Sequence, residues 1–285
     1  MTSMSKVAVV IPTLSVPCSV RDLLESICLQ TLQPVEVVVV NQGAQERADA
    51  IVSEFAPKLN LRPLVSAPGL SLARNAGISA LTSDWDVVAI PDDDVVYAAD
   101  AFEVASHLVS AGHGIVAGRV GWADGRSRVK FPAVATAINI GNVWRTALEA
   151  GLFISRDAWR AGSGFSEYLG LGSNGPWQSG EGTDFLIRAL SEGQTAMFSP
   201  NVVLTEQVPA PISEASRLIR LRKYARGTGA VYRRNYSFQA RVALLARSMV
   251  RVAAAAIPGS SRQWSAEWAV LAGRWEGLVG RIREH

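Results

Sequence analysis

Cysteine is almost missing. The 285-residue chain has two, Cys18 and Cys28, ten positions apart and with no CxxC pair. That excludes a disulfide scaffold and a cysteine zinc site, and it suits a reducing cytoplasm. No uncharged stretch reaches the roughly 18 residues that a membrane-crossing helix needs. Residues 1–6 run straight into an apolar strand without the core of a signal peptide. No G-x-G-x-x-G follows that strand, which argues against a dinucleotide-dependent dehydrogenase. No aromatic-interleaved motif accompanies the basic stretch of the chain, so no nucleic-acid partner is expected. There is no internal repeat and no low-complexity tract. Histidine is also rare, and His107 and His113 lack the partner spacing of metal ligands; they read as residues flanking the helix after position 100, structural or exposed.

What is present describes a globular chain. It is 48% hydrophobic and 19% charged, enough apolar content for one large or two small domains with a real core. Eight tryptophans are many for this length, and Trp144, Trp159 and Trp177 fall in the middle third, where core packing and a substrate pocket both use them. The net charge is +3 with a pI near 9.1, compatible with anionic substrates or a membrane surface. The positive charge is uneven: Arg217, Arg220, Arg222, Lys223, Arg226, Arg233 and Arg234 crowd one stretch, and Arg241, Arg247 and Arg251 follow.

Periodicity divides the chain. Apolar runs at 7–12, 35–40, 61–64 and 86–90 read as strands. Helical spacing at 21–30, 46–55 and 70–81 separates them, with Ser71 as the expected N-cap of the third helix. This alternation predicts an α/β domain with a parallel sheet and right-handed crossovers. Further strands are expected at 114–121, 149–155 and 195–198, and helices at 181–192 and 212–232. Residues 162–182 are rich in Gly and Ser and read as a long functional loop. After Asn235 come two more helices, 242–257 and 264–282, parted by Pro258-Gly259-Ser260-Ser261. The expected organisation is a catalytic domain over 1–235 and a helical C-terminal extension over 236–285.

Asp92-Asp93-Asp94 follows the apolar run Val87-Val88-Ala89-Ile90-Pro91 directly, so three carboxyls stand at the carboxyl end of a buried strand, where open α/β sheets gather their ligands. Like charges ~4 Å apart repel by about 4 kcal/mol at an effective dielectric near 20. Such a cluster needs water, cations from the protein or a bound metal. Octahedral Mg²⁺ or Mn²⁺ shared with substrate phosphates suits its oxygen donors.

Five segments in order resemble the inverting glycosyltransferases of family 2, which have the GT-A fold. They are Val7 to Thr13, Glu36 to Gly43, Gly69-Leu70-Ser71-Leu72-Ala73-Arg74-Asn75-Ala76-Gly77, the Asp92-Asp93-Asp94 triplet in the place of a DxD motif, and Gly180 to Arg188. The likeness covers about residues 6–235. It implies a mostly parallel central sheet flanked by helices and a metal-dependent transfer of a sugar from a nucleotide donor to a hydroxyl of a glycan or a lipid-linked acceptor, in bacterial surface glycan synthesis.

The resemblance also implies roles. Pro12, Thr13 and Asn41 lie beside the nucleotide base, although the family usually has aspartate where Asn41 stands. Arg74, in the first turn of its helix, contacts the nucleotide or its phosphates. Asp92 reaches the ribose side and Asp94 the metal, with Asp92 as a second metal ligand; Asp93 supports the turn or faces away. The base that takes the acceptor proton is Glu181 or Asp184, because the family's usual base position is occupied by Gly182. Trp177 stacks on an acceptor sugar or anchors packing. Glu206 stands near the family's metal-ligating histidine, as an oxygen ligand or a surface residue.

The basic helix around Arg222 and Arg226 either closes over the diphosphate or is a solvated face. The extension either lies on the anionic inner leaflet of the plasma membrane or packs as a helical hairpin against the catalytic domain or a second subunit. Two other functions compete with transfer. A sugar nucleotidyltransferase would need a Gly-rich basic loop after the first strand, and Leu14-Ser15-Val16-Pro17 is not one. A non-catalytic nucleotide- or glycan-binding relative draws support from Gly182.

Overall fold

The computed structural model describes residues 4–14, 18–43, 45–208, 210–257 and 263–282. The loop at Ser15–Pro17 and the break expected at Pro258–Ser261 lie outside them.

The chain begins with β1 (Val7–Thr13), α1 (Cys18–Cys28), β2 (Glu36–Asn41), α2 (Gln45–Phe55), β3 (Leu61–Val65), α3 (Leu70–Ser79) and β4 (Val87–Ala89). It continues with β5 (Val95–Tyr97), α4 (Ala101–Ser110), β6 (Ile115–Gly121), β7 (Thr136–Ala137) and α5 (Val143–Thr146). A 3-10 turn (Glu149–Gly151) leads into β8 (Leu152–Ser155), α6 (Arg156–Gly162), α7 (Glu181–Ser191) and β9 (Ala196–Glu206). Three helices close it: α8 (Glu214–Asn235), α9 (Phe238–Ala255) and α10 (Trp264–Val279).

The nine strands form one sheet in the order β3-β2-β1-β4-β8-β6-β9-β5, with β7 paired to β9. β1 to β4 are mutually parallel, as the alternation predicts. Beyond β4 the sheet is mixed: β8 is antiparallel to both β4 and β6, and β5 is antiparallel to β9. Every residue of β1 and β2 is buried, which fits strands covered on both faces. Val9, Ile11, Leu23, Ile27 and Val39 share one core with Phe102 and Phe153. There Tyr97, Phe102 and Phe153 meet edge to face with ring centroids 4.9–5.9 Å apart. Gly77 allows α3 to lie on the sheet, since a methyl group in its place would collide with Val10 and Val40.

Several boundaries differ from the sequence expectation. The strand expected at 195–198 runs on to Glu206, because the register with β6 shifts between Gly118 and Arg119 and accommodates Pro200. A bulge is where a strand tolerates a residue without an N–H. Only 152–155 of the expected 149–155 strand is extended. The short β5 was not expected at all.

The chain divides into two compact units, residues 1–165 with 185–208 and residues 166–184 with 209–285. The first holds the sheet. In the second, α10 packs along α8 and against α9. The boundary expected at 235 is therefore not where the units part: α8 belongs with the two helices that follow it. No helix among the described residues is long and apolar enough to cross a membrane.

Candidate active site

Parallel pairing aligns the ends of β1 and β2, so that Pro12 registers with Val40 and Thr13 with Asn41. β4 lies on the other side of β1, and the acid triplet follows it. Thr13, Asn41 and Asp92–Asp94 thus share one edge of the sheet, at the carboxyl ends of three strands. Thr13 is nearly fully buried, and its Oγ1 donates to Asp93 Oδ2 at 2.6 Å. Asp93 supports the turn by tying β1 to the residues after β4. Asn41 is fully buried and closes a local turn: Gly43 N donates to its Oδ1 at 3.0 Å, and its Nδ2 donates to Gly43 O at 3.3 Å.

The helix after β3 starts differently from the expectation. Its N-cap is Gly69, at φ 140°, not Ser71, which is buried inside the first turn. Gly69 N donates to Gln42 Oε1 at 2.7 Å, which ties the helix start to the turn after β2. Arg74 consequently sits in the second turn, not the first. It is fully buried, and its Nη2 donates to Asp92 Oδ1 at 2.7 Å while the guanidinium lies 5.7 Å from the Phe165 ring centre. Asn75 holds Phe165 in place through paired bonds, Nδ2 to Phe165 O and Phe165 N to Oδ1, both 2.9 Å. Arg74 therefore meets the acid triplet directly and fixes Asp92.

Electrostatics mark this edge as short of positive charge. Burial pushes Asp93 above its ordinary value, and the Asp92 charge adds to this against the hydrogen bond from Thr13. Asp94 is raised by burial, then by Asp92 and Asp93, with Arg128 acting in the opposite sense. A dication would relieve both effects. Among the described residues no three His, Cys, Asp or Glu side chains gather into a metal cage. Asp92 and Asp94 fit a different arrangement, in which phosphate oxygens complete the shell of a hard cation.

Two residues that the sequence reading misjudged or passed over complete the edge. Glu206 is not a surface residue: it is 8% exposed, ends β9 opposite Val95 and pairs with Arg128. Arg128, in an irregular segment between β6 and β7, acts on both Glu206 and Asp94. Its sequence signal is slight, a cation in a stretch without periodicity. His107 lies inside α4 and is exposed, 4.0 Å from Glu103.

The remaining candidates belong to the second unit. Glu181 is the first residue of α7 and is 5% exposed. Asp184, one turn on, is fully buried; Asn235 Nδ2 donates to its Oδ1 at 2.8 Å, and Arg234 Nε stands 3.8 Å from the same oxygen. Trp177 is half-buried, with the Arg233 guanidinium 5.3 Å from its ring centre. One face of that indole is therefore already covered.

Known proteins agree with this frame. The Streptococcus pneumoniae glycosyltransferase GlyA is 34% identical over 92 residues, which cover 31% of this chain and 13% of that protein. Among solved structures, S. aureus TarS residues 1–349, crystallised with UDP-GlcNAc, superposes with a TM-score of 0.59 at 14% identity, over 98% of this chain and 93% of that one. The mannosyltransferase PcManGT from Pyrobaculum calidifontis, in complex with GDP-Man and Mn²⁺, gives 0.63 at 17% identity, over 99% and 89%. At such identities the likeness speaks for the fold, which is of the GT-A kind. Residues 8–154, from β1 through the acid triplet to β8, match the family described as Glycosyl transferase family 2, and the chain belongs to that family.

Proposed function

We propose that the protein transfers a sugar from a nucleoside-diphosphate donor to an acceptor hydroxyl, with inversion at the anomeric carbon. The observation that carries this reading is the convergence of Thr13, Asn41, Arg74 and Asp92–Asp94 on one sheet edge, with Arg74 bound to Asp92 at 2.7 Å. The complexes of TarS with UDP-GlcNAc and of PcManGT with GDP-Man and Mn²⁺ support a donor of this class.

In the reaction, the acceptor oxygen attacks the anomeric carbon as the bond from that carbon to the diphosphate breaks. The nucleoside diphosphate leaves with one more negative charge. Mg²⁺ or Mn²⁺ held by Asp94 and Asp92 would supply charge stabilisation to that leaving group. Arg74 fixes the Asp92 carboxylate, and Thr13 fixes Asp93. Asn41, whose amide is engaged by Gly43, shapes the turn beside which the nucleotide base would lie. Glu181 accepts the proton of the acceptor hydroxyl. Asp184 is the weaker candidate for that role, because Asn235 and Arg234 already engage its carboxylate.

Titration calorimetry of nucleoside diphosphates with and without Mn²⁺ tests the donor site. One nucleotide should bind the wild type in the presence of Mn²⁺, and Asp94→Ala should weaken that binding at least tenfold, about 1.4 kcal/mol. Unchanged affinity in the variant counts against the role of Asp94. Gly182, where the family has its base, favours a second reading: binding without transfer. Donor binding with no product from any acceptor would support it.

A further inference from the structure

We infer that the last three helices dock the protein on an anionic phospholipid surface. The first observation is an apolar face left uncovered among the described residues. Along α9 and just past its end, Val242, Met249, Val250 and Ile257 recur at helical spacing and are 48–68% exposed. Along α10, Trp264, Trp268 and Trp275 do the same and are 47–51% exposed. Neither stripe carries a charged residue. Between them runs a mostly apolar groove of about 640 Å³, lined by Leu218, Leu245, Met249, Leu271 and the three tryptophans, with the paired Arg222 and Glu276 also on its wall. A contiguous apolar face of this kind marks an interaction site.

The second observation selects the occupant. Residues 211–285 hold 14 Arg and Lys against four Glu, whereas residues 1–210 hold 14 against 21 Asp and Glu. The net positive charge is confined to the part of the chain that bears the apolar face. Some of it is neutralised within the unit: Glu276 takes both Arg222 and Arg226, and Glu267 takes Arg251. Arg220, Lys223 and Arg247 remain exposed. Helices with tryptophan and aliphatic residues on one face and arginine beside them lie in the headgroup region of anionic bilayers. Indole rings favour that region. A second copy of the chain is the poorer occupant, because an isologous contact would set the basic residues beside this face against their own copies. The three helices would lie on the membrane without crossing it, as none of them is apolar enough to span it.

Vesicle flotation of the full chain is the test, with phosphatidylcholine alone and with phosphatidylcholine mixed with phosphatidylglycerol. The protein should float with the mixed vesicles, stay behind with the neutral ones and be released by high salt. Its tryptophan emission should shift to the blue on binding. Met249→Glu with Val250→Glu, on the exposed stripe, should abolish flotation while circular dichroism stays that of the wild type. Arg247→Gln should weaken partition about fivefold. The inference is overturned if the mixed vesicles leave the protein in solution, or if neutral vesicles bind it equally. It is also overturned if a dimer forms, the double variant dissolves it and neither form floats.

Discussion

Glu181 and Asp184 lie three positions apart on α7, yet their surroundings give them different work. Asp184 is fully buried and receives a hydrogen bond from Asn235, so its charge is committed to holding the chain together. Asp184→Asn should therefore lower stability by about 1–3 kcal/mol, read as a drop in the thermal midpoint. Glu181→Gln should leave the midpoint and donor binding unchanged and remove turnover. A stable Asp184→Asn without turnover, beside an active Glu181→Gln, would reverse the two assignments. The acid triplet was legible in the sequence because three carboxyls directly after an apolar run are conspicuous whatever the fold. Its partners were not. Thr13 is 80 positions from Asp93, and only the strand register brings them to 2.6 Å. Arg74 could be picked out from its motif, but its burial and its bond to Asp92 depend on where α3 starts, and the expected cap at Ser71 misplaced that start by two residues.

Elements with unbroken periodicity were readable: β1, β2, α3 and α7 lie within a few residues of expectation. Those that escaped depend on pairing, not pattern. β5 is three residues long and forms on β9, and β9 passes Pro200 through a bulge that only β6 defines. The crossing of α8 and α10 is a third case. On α10, Gly277 meets Gly229 of α8 and Gly273 meets Arg222 and Ala225 of α8, so closely that a methyl group at Gly277 would collide with the backbone of Arg226, Gly229 and Ala230. Four-residue spacing of the two glycines on α10 places both on one helix face, a signal present in the sequence but easily passed over in a helix that does not cross a membrane. Gly277→Ala should destabilise by about 2 kcal/mol, because overpacking against backbone outweighs the ~1 kcal/mol that alanine adds to helix propensity. Chemical denaturation measures this; a variant as stable as the wild type would show that the helices can move apart freely.

On the scale of the whole molecule, each compact unit has a buried carboxylate at a structural joint. Glu36 accepts from Ser83 N at 2.7 Å, Thr82 N at 2.8 Å and Arg62 Nη2 at 3.1 Å. Glu276 takes Arg222 and Arg226. Burial pushes both carboxyls up, but their hydrogen-bond donors outweigh it and both end below the ordinary value of 4.5. A depressed folded-state value contributes stability that is fully present above that ordinary value and lost as pH falls through the folded one. The thermal midpoint should therefore be level from neutral pH down to about 5 and fall below that. Glu36→Gln should lower the neutral midpoint and make the acid limb shallower; an acid limb of unchanged slope would exclude Glu36 as a contributor. The domain division was the least legible feature, since nothing local in α8 announces that its partners follow it in the chain. The bonds from Arg74 to Asp92 and from Thr13 to Asp93 have a kinetic consequence. They hold the Asp92 and Asp93 carboxylates in place in the nucleotide-free chain, so on the proposed reading nucleotide association there spends little entropy on ordering them. Nucleotide capture at that edge should then proceed in a single phase, at a rate governed by encounter and not by rearrangement.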